Sequence, residues 1–395
     1  MPAGPDGRAE RASWLRIALT PGIGPVATAG LLARFGLPED ILGASHAALA
    51  ALIGARRASA LLQPDPDRDH AIQASLAWSE QPGCRLLTLI DRDYPERLLQ
   101  TADPPPVLWA QGRVDRLARP TLAIVGSRAA TRGGIADAQA FAHCLGERGL
   151  TIVSGLALGI DAAAHRGALD TPGGTVAVLG TGTDRIYPRQ QAGLAARIAE
   201  QGLLLSELPP GTEPRPGAFP RRNRLIAGLS LGVLVVEAAL RSGSLITARL
   251  AADIGRDVFA MPGSIHSPTA RGCHELIRQG ARLVESADDI LAELGDRVTA
   301  SVAAHPLPAR TAKPPDTNPP DTNRTPSADT HDPVLDALGW DPVDAQTLLE
   351  RLQQDRRGAR GPATGAPELL ERLVALELSG AVERLSDGRF KRLFK

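Results

Sequence analysis

The sequence predicts an α/β protein built on a doubly wound, mostly parallel sheet, and three observations carry that prediction. Short apolar runs rich in β-branched residues recur between about 84 and 298, most of them ending in glycine or serine. Stretches of helical periodicity follow most of these runs. The runs are continuously apolar, the pattern of strands buried on both faces of a parallel sheet covered by helices.

Residues 1–83 read as an N-terminal helical domain of the SAM or helix-hairpin-helix kind. Trp14, Leu15, Ala18 and Leu19, then Val26 to Phe35, recur at helical spacing. Between them, Thr20-Pro21-Gly22-Ile23-Gly24-Pro25 resembles the hairpin that offers backbone N–H groups to a DNA phosphate. A tight turn inside a small helical domain explains the same residues and is the favoured reading. From 84 to 298, strands are expected at 121–126, 150–155, 175–180, 202–206, 231–236 and 257–261. Helices are expected at 134–148, 161–169, 190–201, 244–254 and 272–279. This is a Rossmann-like domain, whose ligands should sit beyond the carboxyl ends of the strands. Residues 299–332 read as a disordered linker in which Pro-Pro-Asp-Thr-Asn occurs twice in tandem, at 314–318 and 319–323. Residues 333–395 show helical spacing at 334–338, 345–352 and 368–378, followed by strand, Asp387-Gly388 turn and strand, the order of a winged helix. Its third helix carries Glu368, Glu371 and Glu377 against Arg372, which suits protein contacts better than a DNA groove.

The bulk properties exclude several classes. A chain of 395 residues with 43% hydrophobic and 22% charged residues is ordinary for a soluble protein. No run is long and apolar enough for a transmembrane helix, and the N-terminus lacks the apolar core of a signal peptide, so a cytoplasmic location without a membrane partner is expected. Cys84, Cys144 and Cys273 lie far apart, which argues against disulfides and structural zinc. The formal net charge is zero, but between 215 and 249 six arginines stand against the single acid Glu237. A local patch of that kind can attract phosphate even on a neutral chain, and a solvated arginine-rich loop explains the same charges equally well.

Candidate binding residues cluster at the predicted strand ends. Gly126-Ser127-Arg128 follows the first strand directly: glycine permits the sharp turn, serine and nearby N–H groups suit a phosphate oxygen, and Arg128 offers a fork of donors. Ser154 and Gly155 open a second turn, leading to a helix where Asp161 and His165 share one face; a buried or capping pair is the favoured reading of those two. Gly180 opens a third turn, carrying Tyr187 and Arg189 to the same edge. Phe219-Pro220-Arg221-Arg222-Asn223-Arg224 gives the strongest signal, joining an aromatic ring to three cations. Ser242-Gly243-Ser244 forms a fourth turn, at a helix start suited to an anion. Signatures of nucleotide hydrolysis by a P-loop, of a nucleophile elbow, of HExxH zinc sites and of a dinucleotide fingerprint are absent, so no catalytic residue, metal or cofactor is expected. Glu237 alone is a carboxylate placed for chemistry.

Taken in order, IVGSR (124–128), VSGLALGIDAAAH (153–165), AVLGTGTDRIYP (177–188), LSELPPGTEP (205–214), FPRRNRLIAGLS (219–230), VVEA (235–238), SGSLITA (242–248) and MPGSI (261–265) resemble the DprA/Smf family. The resemblance covers about 140 residues. It implies a Rossmann-like core that binds single-stranded DNA, a homodimer formed through that core, and loading of RecA recombinase onto incoming DNA in natural transformation. It also implies phosphate binding at Gly126, Ser127 and Arg128, a basic contact at Arg189, and a dimer-forming end at 271–284 with contacts at His274, Leu276 and Ile277. The rival expectation is a nucleotide-processing hydrolase of a related Rossmann-like fold, acting through Glu237 beside Ser242-Gly243-Ser244; the Pro-Gly-Gly-x-Gly-Thr of such hydrolases is missing. A sequence-specific regulator acting through the winged helix is disfavoured by the acidic face of its third helix.

Overall fold

A computed structural model describes residues 5–295, 297–298, 333–338, 342–355, 366–385 and 387–393. The chain divides into two compact units, Met1–Pro308 and Ala309–Lys395. The first unit is built on a nine-stranded sheet. In chain order its strands are β1 (Cys84–Thr88), β2 (Val107–Gly112), β3 (Thr121–Val125), β4 (Thr151–Ser154), β5 (Thr175–Val178), β6 (Leu203–Ser206), β7 (Gly232–Val235), β8 (Asp257–Ala260) and β9 (Arg282–Leu283). Their spatial order is β1-β2-β6-β5-β4-β3-β7-β8-β9. From β6 to β9 every pairing is parallel, whereas β1 with β2 and β2 with β6 are antiparallel. The fold is therefore mixed α/β with a large, mostly parallel sheet.

Successive residues of a strand point to opposite faces. On β3, Ala123 and Val125 join one core with Val153, Val176, Leu205 and Val235, under the helices Ala218–Leu229, Ser244–Asp253 and Arg271–Arg278. Leu122 and Ile124 join the opposite core with Ile152, Leu234 and Phe259, under the helices Arg132–Glu147, Ile160–Leu169 and Ala287–Leu294. Both faces are dry, which is why the strands read as unbroken apolar runs. β3 pairs with β4 on one side and β7 on the other, so chain direction across the sheet reverses there and the loops beyond these strands part to leave a crevice.

The amino-terminal helices, among them Pro5–Ala18, Pro25–Phe35 and Pro66–Ser79, are packed onto the antiparallel edge. Trp14, Leu15, Ile72, Leu76 and Trp78 share one core with Cys84, Leu86, Val107 and Trp109. The boundary expected at 83/84 therefore runs through shared packing. The turn at Gly22–Gly24 buries Ile23, and Thr20 at its start accepts a hydrogen bond from the buried Arg68 guanidinium (3.2 Å).

In the second unit, the helices Pro333–Leu338, Ala345–Asp355 and Ala366–Leu378 precede β10 (Val382–Arg384) and β11 (Phe390–Arg392), an antiparallel pair with Arg384 opposite Phe390. Leu338, Leu348, Leu369, Leu373, Val382 and Phe390 make a core of their own. The linker expected over 299–332 and the stretch 356–365 lie outside the described residues. Among the described residues no helix is long and apolar enough to cross a membrane.

Candidate nucleic-acid interface

The loops beyond β3, β4 and β7, together with the start of the helix Ala218–Leu229, enclose a cleft of about 880 Å³. Gly126, Ser127, Arg128, Tyr187, Phe219, Arg222, Asn223, Ser242, Gly243 and Ser244 all line it. So do Arg215 and Arg241, while Asp161 is its only carboxylate among the described residues. The charge of the cleft is thus positive although that of the chain is zero.

Its frame is held by backbone contacts with no spare room. The Ser127 N–H donates to the Glu237 carbonyl (2.7 Å), and the Ser127 carbonyl accepts from the Ile160 N–H (3.2 Å). A methyl group on Gly126 would stand 2.6 Å from Ile160 Cγ1, so glycine is what lets the turn pass between that helix and the end of β7. The Ser127 N–H is thus spent inside the protein. Its hydroxyl and the exposed Arg128 guanidinium make no hydrogen bond within the described residues and face the cleft. On the β7 side, Ser242 and Ser244 share a hydroxyl hydrogen bond of 2.7 Å at the start of the helix Ser244–Asp253, and the space around Gly243 is open.

Below the cleft lies a buried charge pair. Asp161 accepts from the N–H groups of Gly155 (3.1 Å) and Ala157 (3.4 Å), and Arg222 donates to the Val178 carbonyl (3.0 Å). Arg222 presses against Gly155 so closely that a Cβ there would lie 1.6 Å from its Nη1. Burial lowers the Arg222 pKa to about 10; Asp161 opposes the shift and Arg128 adds to it. Burial likewise raises Asp161, against the pull of Arg222 and of the two backbone donors. Desolvation outweighs attraction for both partners, yet at about 10 the guanidinium is still charged at neutral pH. His165, fully buried, shares a 2.7 Å hydrogen bond with Thr175, and burial pushes its pKa down to about 3. Asp161 and His165 are therefore parts of the frame.

The structure separates residues that lie close together in the sequence. Residues 218–229 form a helix, which distributes the arginines over different faces. Arg222 turns into the protein. Arg224 is ion-paired with Glu207 and with Asp103 (3.3 Å), and Arg221 reaches the other oxygen of Glu207 (3.2 Å). Glu207 itself is buried, and burial raises its pKa while the two arginines oppose that shift. Ser154 is also internal, its hydroxyl donating to the Ile124 carbonyl (2.6 Å), and Gly180 is buried beneath the Phe219 ring. Arg189 lies outside the cleft, in an adjoining groove that shares Tyr187 and Pro214 with it. Tyr187 and Phe219 stand together where the two meet, with ring centres 5.4 Å apart. Arg215 and Arg241, legible in the sequence only as part of the local excess of arginine, are exposed cleft residues.

Glu237 is committed elsewhere. Its carboxylate accepts from both the N–H (3.0 Å) and the hydroxyl (2.6 Å) of Thr131, the residue that caps the helix Arg132–Glu147. A Cβ at Gly134 would meet the carboxyl carbon at 2.5 Å. Among the described residues no group of three or more His, Cys, Asp or Glu is placed to hold a metal ion. On the helix Arg271–Arg278, His274 shares a hydrogen bond with the Gly263 carbonyl (2.9 Å), Ile277 is half-buried and Leu276 is buried in the protein's own core. Ile265 and Leu283, exposed at 72% and 46%, are the apolar side chains open to solvent in this part of the chain.

Comparison with known proteins follows this architecture. Residues 85–295, which contain the whole cleft, match the model of DNA recombination-mediator protein A. Protein Smf of Escherichia coli is 50% identical over 225 residues, 57% of this chain and 60% of that protein. The DNA processing protein DprA of Streptococcus pneumoniae is 48% identical over 206 residues, 52% of this chain and 73% of that protein. The X-ray structure of the Streptococcus pneumoniae protein superimposes with a TM-score of 0.62 at 40% identity, covering 71% of this chain and 95% of that one. More than half of this sequence, including every residue of the cleft, thus conforms to one family pattern, and the chain belongs to the DNA recombination-mediator protein A (DprA/Smf) family.

Proposed function

We propose that the chain binds single-stranded DNA along the cleft and the adjoining groove, and acts by binding rather than by catalysis. One observation carries this reading: Arg128, Arg215 and Arg241 line one cleft, exposed and without an ion pair among the described residues, beside the paired rings of Tyr187 and Phe219. Free guanidinium groups suit phosphates, and aromatic faces suit unpaired bases of any sequence. Arg189 extends the cationic path along the groove. Arg222 and Asp161 hold the floor, and Arg221 and Arg224 brace the helix against Glu207.

On the same reading, the protein protects incoming DNA in the cytoplasm and loads RecA recombinase onto it during transformation and recombination. Membership of a recombination-mediator family supports this role. A homodimer is proposed on the face carrying His274 and Ile277, where the exposed Ile265 and Leu283 add apolar surface; Leu276 supports that face from within. Residues 333–393 are read as a winged helix, and the amino-terminal helices as a helical domain fused to the sheet edge.

Fluorescence anisotropy of labelled single- and double-stranded oligonucleotides tests the central claim. Tighter, salt-sensitive binding of the single strand is expected. Equal affinity for the duplex, or release of free base from nucleoside monophosphates, would direct attention to another activity.

A further inference from the structure

The second unit carries a surface that the DNA-binding reading does not use. In the helix Ala366–Leu378, Leu369, Leu373 and Leu376 point into the unit's own core. Leu370, Val374 and Leu378 are exposed at 50%, 54% and 85%. They recur four residues apart, so they form one stripe along the outer side of the helix. A single exposed leucine is ordinary, but three in register over the length of a helix make a seam of the kind helices bury against one another. Glu371, exposed, and Glu377, half-buried, flank the seam.

We infer that the outer face of the helix Ala366–Leu378 is a docking surface for a basic amphipathic helix of a partner protein, which lays its apolar side on Leu370, Val374 and Leu378 and its lysines or arginines against Glu371 and Glu377. Charge decides between the possible occupants. A DNA backbone would bring phosphates against the two glutamates, and a second copy of the same helix would bring glutamates against glutamates. A basic helix satisfies both the seam and its flanks, in the helix-in-groove manner with anchors spaced one turn apart. The inference is independent of the cleft in the first unit.

The probe is a labelled synthetic helix of about five turns, with leucines along one side and lysines elsewhere; a control carries glutamates in place of the lysines. Anisotropy is measured with the full-length chain and with two variants, Leu370→Ser/Val374→Ser and Glu371→Lys/Glu377→Lys, neither touching a side chain of the unit's core. The lysine peptide should bind the wild type, and each variant should raise its Kd about tenfold or more. The glutamate peptide should bind only the Glu371→Lys/Glu377→Lys chain. Equal affinity of the lysine peptide for the wild type and both variants would overturn the assignment. Self-association of the wild type that Leu370→Ser/Val374→Ser abolishes would give the seam to a second copy. Duplex DNA binding lost in the same variant would give it to nucleic acid.

Discussion

Replacing Arg128 with alanine removes one cation from the cleft while leaving the backbone frame of the turn intact, since Ser127 makes its ties through main-chain atoms. Arg128, Arg215 and Arg241 in the cleft and Arg189 in the groove are exposed cations along the proposed path with no ion pair among the described residues, whereas Arg185, also in the groove, is paired with Asp184 and Glu213. For a single strand, each phosphate neutralised adds about −0.7 to the slope of log affinity against log salt. If each arginine engages one phosphate, the wild type should show a slope of about −2.8 and Arg128→Ala about −2.1. Between roughly 50 and 200 mM salt, wild-type affinity should then fall about fiftyfold and that of the variant about twentyfold. Arg224→Ala is the informative control, because its guanidinium is already paired with Glu207 and Asp103. That variant should keep the wild-type slope even if it melts earlier. The assay is anisotropy of a labelled oligonucleotide across the salt series. A wild-type slope for Arg128→Ala, or an equal loss of slope for Arg224→Ala, would refute the assignment of free and committed arginines.

Phe219→Ala should weaken single-strand binding by roughly 1–3 kcal/mol without changing the salt slope, because a stacked ring contributes no counter-ion release; the same titrations read both quantities. Gly159 has φ +75° and would press a Cβ within 2.2 Å of the Ser127 carbonyl oxygen, so Gly159→Ala should cost about 3 kcal/mol in urea unfolding. Gly193, with open space around it in the helix Ala192–Gln201, should by contrast gain about 0.5–1 kcal/mol as alanine; equal effects at the two positions would contradict the packing described. His165 titrates at about 3 in the folded protein against an ordinary value of 6.5. Between those values the unfolded chain holds a proton that the folded one lacks, so stability should fall on acidification, by up to about 1.4 kcal/mol per pH unit. His165→Gln should lose that component, and identical pH profiles for wild type and variant would show that the imidazole is not held neutral.

The parallel part of the sheet was legible because strands dry on both faces cannot hide: β3 to β8 fall on the six apolar runs, and the five expected helices lie within two residues of those observed. β1 and β2 escaped because they join the sheet antiparallel, without the strand–helix alternation that marked the others. β9 has two residues, too short for any periodicity. The helix Ala218–Leu229 was read as an arginine-rich binding segment, since Pro220 and Gly228 lower helical propensity and three arginines dominate its composition. Helical geometry then gave those arginines different fates, which no linear reading could assign. Glu207 is the missing signal: a carboxylate in the Leu-Ser-Glu-Leu-Pro-Pro loop reaches both Arg221 and Arg224 across a turn of the later helix. The anion turns after β3 and β7 were readable from glycine and serine at strand ends. Arg215, after β6, and Arg241, after β7, reach the same cleft although β5, β4 and β3 separate those strands, because the helix Ala218–Leu229 packs across the three between.

The shared packing of Trp14 with Trp109 has a practical consequence for dividing the protein. A polypeptide begun at residue 84 would keep β1 and β2 but strip the cover from Leu86, Val107 and Trp109, leaving a sticky apolar flank beside an intact cleft. The detached helices would be left with Trp14, Ile72 and Leu76 facing water. Neither piece should behave as a clean fragment, and a cut that spares both cores belongs after residue 308, where one compact unit gives way to the next.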